Sequence, residues 1–194
     1  MLRRAIADTC FLIDWSYYSR RDLLFRLFDV VYVTESVLDE VGYDPTITWV
    51  SERLADGRMA LLTESPQASS EAYRLMALSR LEPRMRDLDY PEAVCLALAR
   101  ALGAAVLTEN RAAVLAPRLI EECRGVTVWR SLEVIRELIL RGHIACEPTR
   151  DAVARVFREY MEETRHLFSS SELSRVVESV VACLRRSGRQ RRGS

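Results

Sequence analysis

The fold open to this chain is limited above all by an alternation. Five short apolar runs occur in order: "RRAIA" (3–7), "VVYV" (30–33), "MALLT" (59–63), "AAVL" (104–107) and "VTVW" (126–129). Each is followed by residues with helical patterning. A run of four or five apolar residues without polar alternation suits a strand buried on both faces, the habit of parallel sheets. Strand–helix alternation then implies an α/β class. The expected architecture is a three-layer α/β/α sandwich with a central, mostly parallel five-stranded sheet, plus two C-terminal helices.

The helical stretches have recognisable ends. "TESVLDEV" opens with Thr34 as a cap. "YDPTITWVSERLADG" offers Asp44 as cap, Pro45 at the first position and Gly57 just past the end. "DLDYPEAVCLALA" reads as a capping box, with Asp89 as cap, Pro91 in the first turn and Glu92 reaching back; this helix stops at Gly103. "SLEVIRELILRG" runs from a Ser131 cap to Gly142. After Cys146 the pattern is helical only. Its last helix places Val176, Val177, Val180, Val181 and Leu184 on one stripe. The expected organisation is an α/β domain over 1–146, a helical extension over 147–187 and a basic, flexible tail over 188–194.

Composition enters by exclusion. All 28 basic residues are Arg, and there is no Lys. A Walker A phosphate loop and Schiff-base chemistry both need that amine, and a response-regulator receiver would also lack its usual Lys. The seven Gly never occur as G-x-G, which argues against a nicotinamide-binding Rossmann domain. Five scattered Cys (Cys10, Cys95, Cys123, Cys146, Cys183) and two His leave no ligand set for a zinc ribbon; most of these Cys are expected to be small buried apolar residues. No run approaches the roughly 18 apolar residues of a membrane span. The opening "MLRRAIADTC" has no signal-peptide layout, so a cytoplasmic location is expected. The last ten residues carry five Arg and no acid, leaving 23 Arg against 28 acids elsewhere, a net charge of −5. A surplus of carboxylates with a basic arm suits a cation site beside a phosphate-bearing partner, although a frayed, merely solubilising tail is the preferred reading of the arm.

Ligands of open parallel sheets bind beyond the carboxyl ends of the strands. Asp8 follows the first strand, Glu40 lies one helical turn after the second, and Glu109 and Asn110 follow the fourth. Glu92 begins the helix that feeds the fourth strand. Each has a bland reading: Asp8 or Thr9 caps a helix, Glu40 is a solvated helix residue, and Glu109-Asn110 forms a turn. Their conjunction points further. The helix "EAVCLALARALGAA" is apolar nearly all round, so a carboxylate at its mouth must be hydrogen-bonded, paired or bound to a metal. Several such oxygens would repel one another without a cation, and Mg²⁺ suits a few carboxylates plus waters and substrate phosphates. Arg111, beside this site, either pairs with phosphate or is a solvated helix-start residue.

The segments "AIADTCFLID", "VTESVLDEV", "DYPEAVCLALARALGAAVLTENRA" and "GVTVWRSLEVI" together resemble the successive motifs of a PIN domain. In order and spacing they are similar to single-domain prokaryotic and archaeal PIN proteins, including VapC-type toxins. The similarity spans roughly residues 3–145. It implies a metal-dependent endoribonuclease using one or two Mg²⁺ or Mn²⁺ ions, and thus RNA as substrate. An antitoxin protein is the further partner such a resemblance implies, and the striped terminal helices suit a homodimer. Asp8, Glu40 and Glu92 match the family's acidic positions, as catalytic residues and metal ligands. Thr9 and Thr108 match the small hydroxyl residues beside them, at substrate-binding positions. Where the family commonly has an aspartate after the fourth-motif Thr, this chain reads Glu109-Asn110. Asn110 would ligate or orient water there, with Glu109 substituting as a metal ligand. A catalytically weak PIN-like module that binds RNA or protein is the competing reading. A phosphatase using Asp8 as nucleophile is a third, but it would want an Asp at Cys10.

Overall fold

The computed structural model describes residues 3–42 and 44–190. In chain order it runs β1 (Arg4–Ala7), α1 (Thr9–Ser16), α2 (Leu24–Leu27), β2 (Val30–Thr34), α3 (Glu35–Glu40), α4 (Asp44–Ala55) and β3 (Met59–Leu62). There follow α5 (Pro66–Leu81), α6 (Tyr90–Leu102), β4 (Ala105–Leu107), α7 (Arg111–Leu119), β5 (Thr127–Trp129) and α8 (Ser131–Leu140). Helices α9 (Arg150–Thr164) and α10 (Ser170–Gln190) complete the chain.

The five strands form one sheet in the order β3-β2-β1-β4-β5, and every pairing is parallel. All five expected strands are present with ends within one residue of the reading above, and "mostly parallel" becomes wholly parallel. The central strand explains why: Ala5, Ile6 and Ala7 are each fully buried, so no polar face was available to alternate. Strand order reverses between β1 and β4. The chain winds from β1 outward through β2 to β3, then returns to place β4 on the other side. In open parallel sheets, the carboxyl edge at such a reversal, here between β1 and β4, is where a ligand crevice is expected.

Helix α6 is the element that serves this crevice. Residues Pro91 to Ala99 are buried without interruption, which is why its sequence shows no polar stripe. It packs on β1 and β4 and pairs along its length with α5. Its start is the expected capping box: Asp89 Oδ1 accepts from Glu92 N at 3.3 Å, and Glu92 Oε2 accepts from Asp89 N at 3.3 Å. Its end is Gly103 in the left-handed region, φ 61°, where a side chain would be strained.

Several helix starts depart from expectation. Asp44 and Ser131 are the first helical residues of α4 and α8 rather than residues preceding them. Thr34 is a true cap, accepting from Val37 N at 3.4 Å. The cysteine expectation is corrected: only Cys95 and Cys123 are buried, while Cys10, Cys146 and Cys183 are partly exposed, and all five are free. Cys10 escapes full burial because it begins a helix at the sheet edge, where polar groups gather.

By its contacts the chain divides into two compact units, Met1–Ser16 with Phe28–Ser131, and Tyr17–Leu27 with Leu132–Ser194. The first holds the sheet. In the second, Tyr160 meets Tyr18 edge-on at 5.1 Å and stacks on Phe168 at 5.6 Å, and Arg20 pairs with Glu159 at 2.7 Å. Of the α10 stripe, Val177, Val180 and Val181 are buried, while Val176 and Leu184 are only half-buried. Helix α10 reaches Gln190, and residues 191–194 of the expected tail lie outside the described residues.

Candidate active site

Asp8 leaves β1 at the strand-order reversal and is 3% exposed. Its backbone N–H still belongs to the ladder, donating to Leu107 O at 2.9 Å, while its side chain turns toward the first residues after β1 and β4. Oδ1 accepts from Thr9 N at 2.8 Å. Oδ2 accepts from Thr108 Oγ1 at 2.8 Å and from Cys10 Sγ at 3.0 Å. Burial pushes the Asp8 carboxyl above the usual range; the Cys10, Thr108 and Thr9 hydrogen bonds oppose this, and the negative charge of Asp89 adds to it.

Thr108 is the hinge of the arrangement. Fully buried, it gives its proton to Asp8 and accepts from Asn110 N at 3.0 Å. Cys10 likewise gives its proton to Asp8, and Sγ accepts from Glu109 N at 3.2 Å. Burial, and then the Asp8 charge, raise the Cys10 thiol far above its ordinary value, so it stays protonated as a donor rather than a nucleophile. Thr108→Val keeps the shape of the buried hydroxyl but removes the donor to Asp8. We expect a loss of about 1–3 kcal/mol at pH 7, read from urea unfolding.

Glu92 enters from α6 and is 5% exposed. Its carboxyl is pushed up to about 8, first by burial and then by the charges of Asp89 and Asp8. Glu40, exposed at the end of α3, joins through Thr9: Thr9 Oγ1 donates to Glu40 Oε2 at 2.7 Å while Thr9 N holds Asp8. Beneath them, burial raises the Cys95 thiol well above its ordinary value, and the charges of Asp8, Glu64, Cys10 and Glu92 all add to that rise.

Hydrogen bonds thus join Asp8, Thr9, Glu40 and Thr108; Glu92 is bonded to Asp89 and reaches Asp8 through its charge alone. The structure directs two other candidates elsewhere. Glu109 Oε1 accepts from Ser131 N at 2.7 Å, satisfying the start of α8. Asn110 caps α7, its Oδ1 accepting from Ala112 N at 2.7 Å. Arg111 is exposed at the first position of α7.

Sequence reasoning missed Glu64, two residues beyond β3. Its Oε1 accepts from Ser36 N and its Oε2 from Tyr90 Oη, both at 2.9 Å, while its N–H donates to Glu35 Oε2 at 3.0 Å. Burial raises the Glu64 carboxyl, but hydrogen bonds from Ser36, Tyr90 and Thr34 outweigh it and hold the group below the usual range. The strand-end rule that found Asp8 would have found Glu64. The "DTC" spacing was the corresponding signal for Cys10, since the first turn of a helix brings residues two apart to a common end.

The donor chemistry fits a hard divalent cation: the charged groups are oxygen anions, and two of them, Asp8 and Glu92, are buried. Among the described residues no group of three or more His, Cys, Asp or Glu is assembled to hold a metal ion. Mg²⁺ commonly takes only one or two carboxylates and fills its remaining positions with water and substrate phosphate.

No helix among the described residues is long and apolar enough to cross a membrane. No family model matches the chain, and no curated protein matches it. Among solved structures the chain is similar to VapC20 of Mycobacterium tuberculosis, a Sarcin-Ricin loop cleaving toxin. Identity is 16%, the TM-score is 0.47, and the match covers 60% of this chain and 97% of that chain.

Proposed function

We propose that this chain is a metal-dependent endoribonuclease, with Asp8 and Glu92 as the ligands of a Mg²⁺ or Mn²⁺ ion. The observation that carries this reading is the pair itself. Two carboxyls are buried at the strand-order reversal, both raised above their usual range by desolvation and by neighbouring negative charge. Such a pair is destabilising when both members are ionised and is relieved by a cation. The ordered motifs that resemble a PIN domain support the same chemistry, and the toxin role with its antitoxin partner rests on that resemblance.

A bound divalent ion supplies positive charge against the charge that develops on a phosphodiester in its transition state. The chain's residues do the rest. Thr108, Cys10 and Thr9 N fix both oxygens of Asp8, so its orientation is set before substrate arrives. Thr9 couples that orientation to Glu40. The capping box fixes Glu92 at the start of α6, where burial and the Asp89 charge favour its protonated form when no cation is bound. Loss of that proton on cation binding leaves a second anion in place.

The engagement of Glu109 and Asn110 with helix starts favours a second reading, an RNA-binding module without cleavage. Incubation of end-labelled single-stranded RNA with the full chain separates them. Cleavage with Mg²⁺ or Mn²⁺ that EDTA abolishes is expected. Cleavage equal in EDTA would sink the metal-dependent mechanism, and inactivity on RNAs of varied sequence would favour the binding module.

A further inference from the structure

At the start of α6, against Glu64, sits an aromatic pair that the proposed mechanism does not use. Tyr90 is the first residue of α6, between the cap Asp89 and Glu92, and lies about 3 Å along the helix from Glu92. Its ring is held at the tip, because Tyr90 Oη donates to Glu64 Oε2 and pairs with Ser69 Oγ, each at 2.9 Å. Tyr73, one turn beyond Ser69 on α5, packs on that ring with centroids 5.2 Å apart and planes inclined by 39°. Tyr73 is nevertheless 63% exposed. Its ring therefore meets Tyr90 at a tilt while most of the residue remains in solvent.

We propose that Tyr73, backed by Tyr90, is a stacking platform for an unpaired nucleobase of RNA entering the Asp8–Glu92 site; this rests on the ribonuclease reading. Every base presents a π-face, so an aromatic side chain binds single strands with little sequence preference. The anchored Tyr90 limits the freedom that Tyr73 must lose on binding. The surroundings favour a base over a protein partner. The groups behind the pair are the polar Ser69 and Glu64, and a single ring offers far less area than a stable protein interface needs. A base in a duplex has both faces stacked already, so the platform selects single strands.

The test is binding of fluorescein-labelled single-stranded oligoribonucleotides to the full chain in EDTA, read by anisotropy, with a duplex of the same sequence alongside. Working in EDTA reads binding apart from cleavage. Tyr73→Ala and Tyr73→Leu should each weaken single-strand binding by about five-fold or more. Tyr73→Phe, which keeps the ring, should stay close to the unmodified chain. Leu81→Ala, at an exposed apolar position on the same helix, should leave the affinity unchanged. Equal affinity for Tyr73→Ala and the unmodified chain would overturn the platform, as would Tyr73→Leu binding as well as Tyr73→Phe, or the unmodified chain failing to bind single strands. If these variants behave as expected while no RNA is cleaved with Mn²⁺, the platform stands and the nuclease reading fails. If RNA is cleaved and Tyr73→Ala binds normally, the reverse holds.

Discussion

Asp8→Asn is expected to reduce Mn²⁺-dependent RNA cleavage by roughly 10³-fold, the scale of losing one preorganised electrostatic group. The substitution keeps a carbonyl oxygen that can still accept from Thr9 N, so the α1 start survives. What it removes is the charge. It also places an amide N–H₂ or a neutral oxygen opposite Thr108 Oγ1 and Cys10 Sγ, both of which now donate to a carboxylate. Thermal unfolding of the metal-free variant should match or exceed that of the unmodified chain, because a buried charge raised by desolvation is gone. Lost cleavage with retained stability would place the effect in chemistry rather than folding. Cleavage within ten-fold of the unmodified chain would remove Asp8 from the mechanism.

Glu92→Gln is expected to act on stability in the opposite sense to most core substitutions. Folding raises the Glu92 carboxyl from 4.5 to about 8, so the folded state holds this proton more tightly than the unfolded chain. Protonated Glu92 therefore contributes stability in full below about 4.5, and that contribution is lost as pH rises through about 8. Each tenfold difference in proton affinity between the two states corresponds to about 1.4 kcal/mol, and each kcal/mol to about 2–4 °C in a chain of this size. In EDTA, the Tm of Glu92→Gln minus that of the unmodified chain should grow between pH 5 and pH 8, by about 5 °C or more. Gln can still serve the capping box, so the α6 start is kept. Adding Mn²⁺ at pH 8 should close the gap by stabilising the unmodified chain only. A difference that is flat with pH, or that shrinks as pH rises, would show that Glu92 is not held protonated. The same variant should lose cleavage.

Much of this fold was legible because its strands are buried on both faces. Ala5 to Ala7 and Val106 to Leu107 have no polar residue to break the apolar run, and Gly103 marks the end of α6 unambiguously. Asp8, Glu40 and Glu92 were legible because chain order in a parallel sheet fixes which residues reach its carboxyl edge. Position along the chain does not, however, say which way a side chain turns once it is there. Glu109 and Asn110 sit at that edge, yet the nearest unsatisfied donors are the backbone N–H groups opening α8 and α7, and their oxygens go to those. Cys10 departs from expectation because thiols are usually buried as small apolar groups. Here a carboxylate next to it draws out its weaker capacity as a donor. The Tyr73–Tyr90 pair depends on how α5 and α6 pack together, and no periodicity within either helix reports that.

The proposed chemistry turns on Asp8 and Glu92 holding one divalent cation between them. Anomalous diffraction at the manganese edge, from crystals of the full chain equilibrated with Mn²⁺ at pH 8, locates such an ion without reference to activity. A peak ligated by both carboxylates is expected, and it should be absent from crystals of Asp8→Asn treated in the same way. A peak held by other residues, or none at millimolar Mn²⁺, would contradict the assignment.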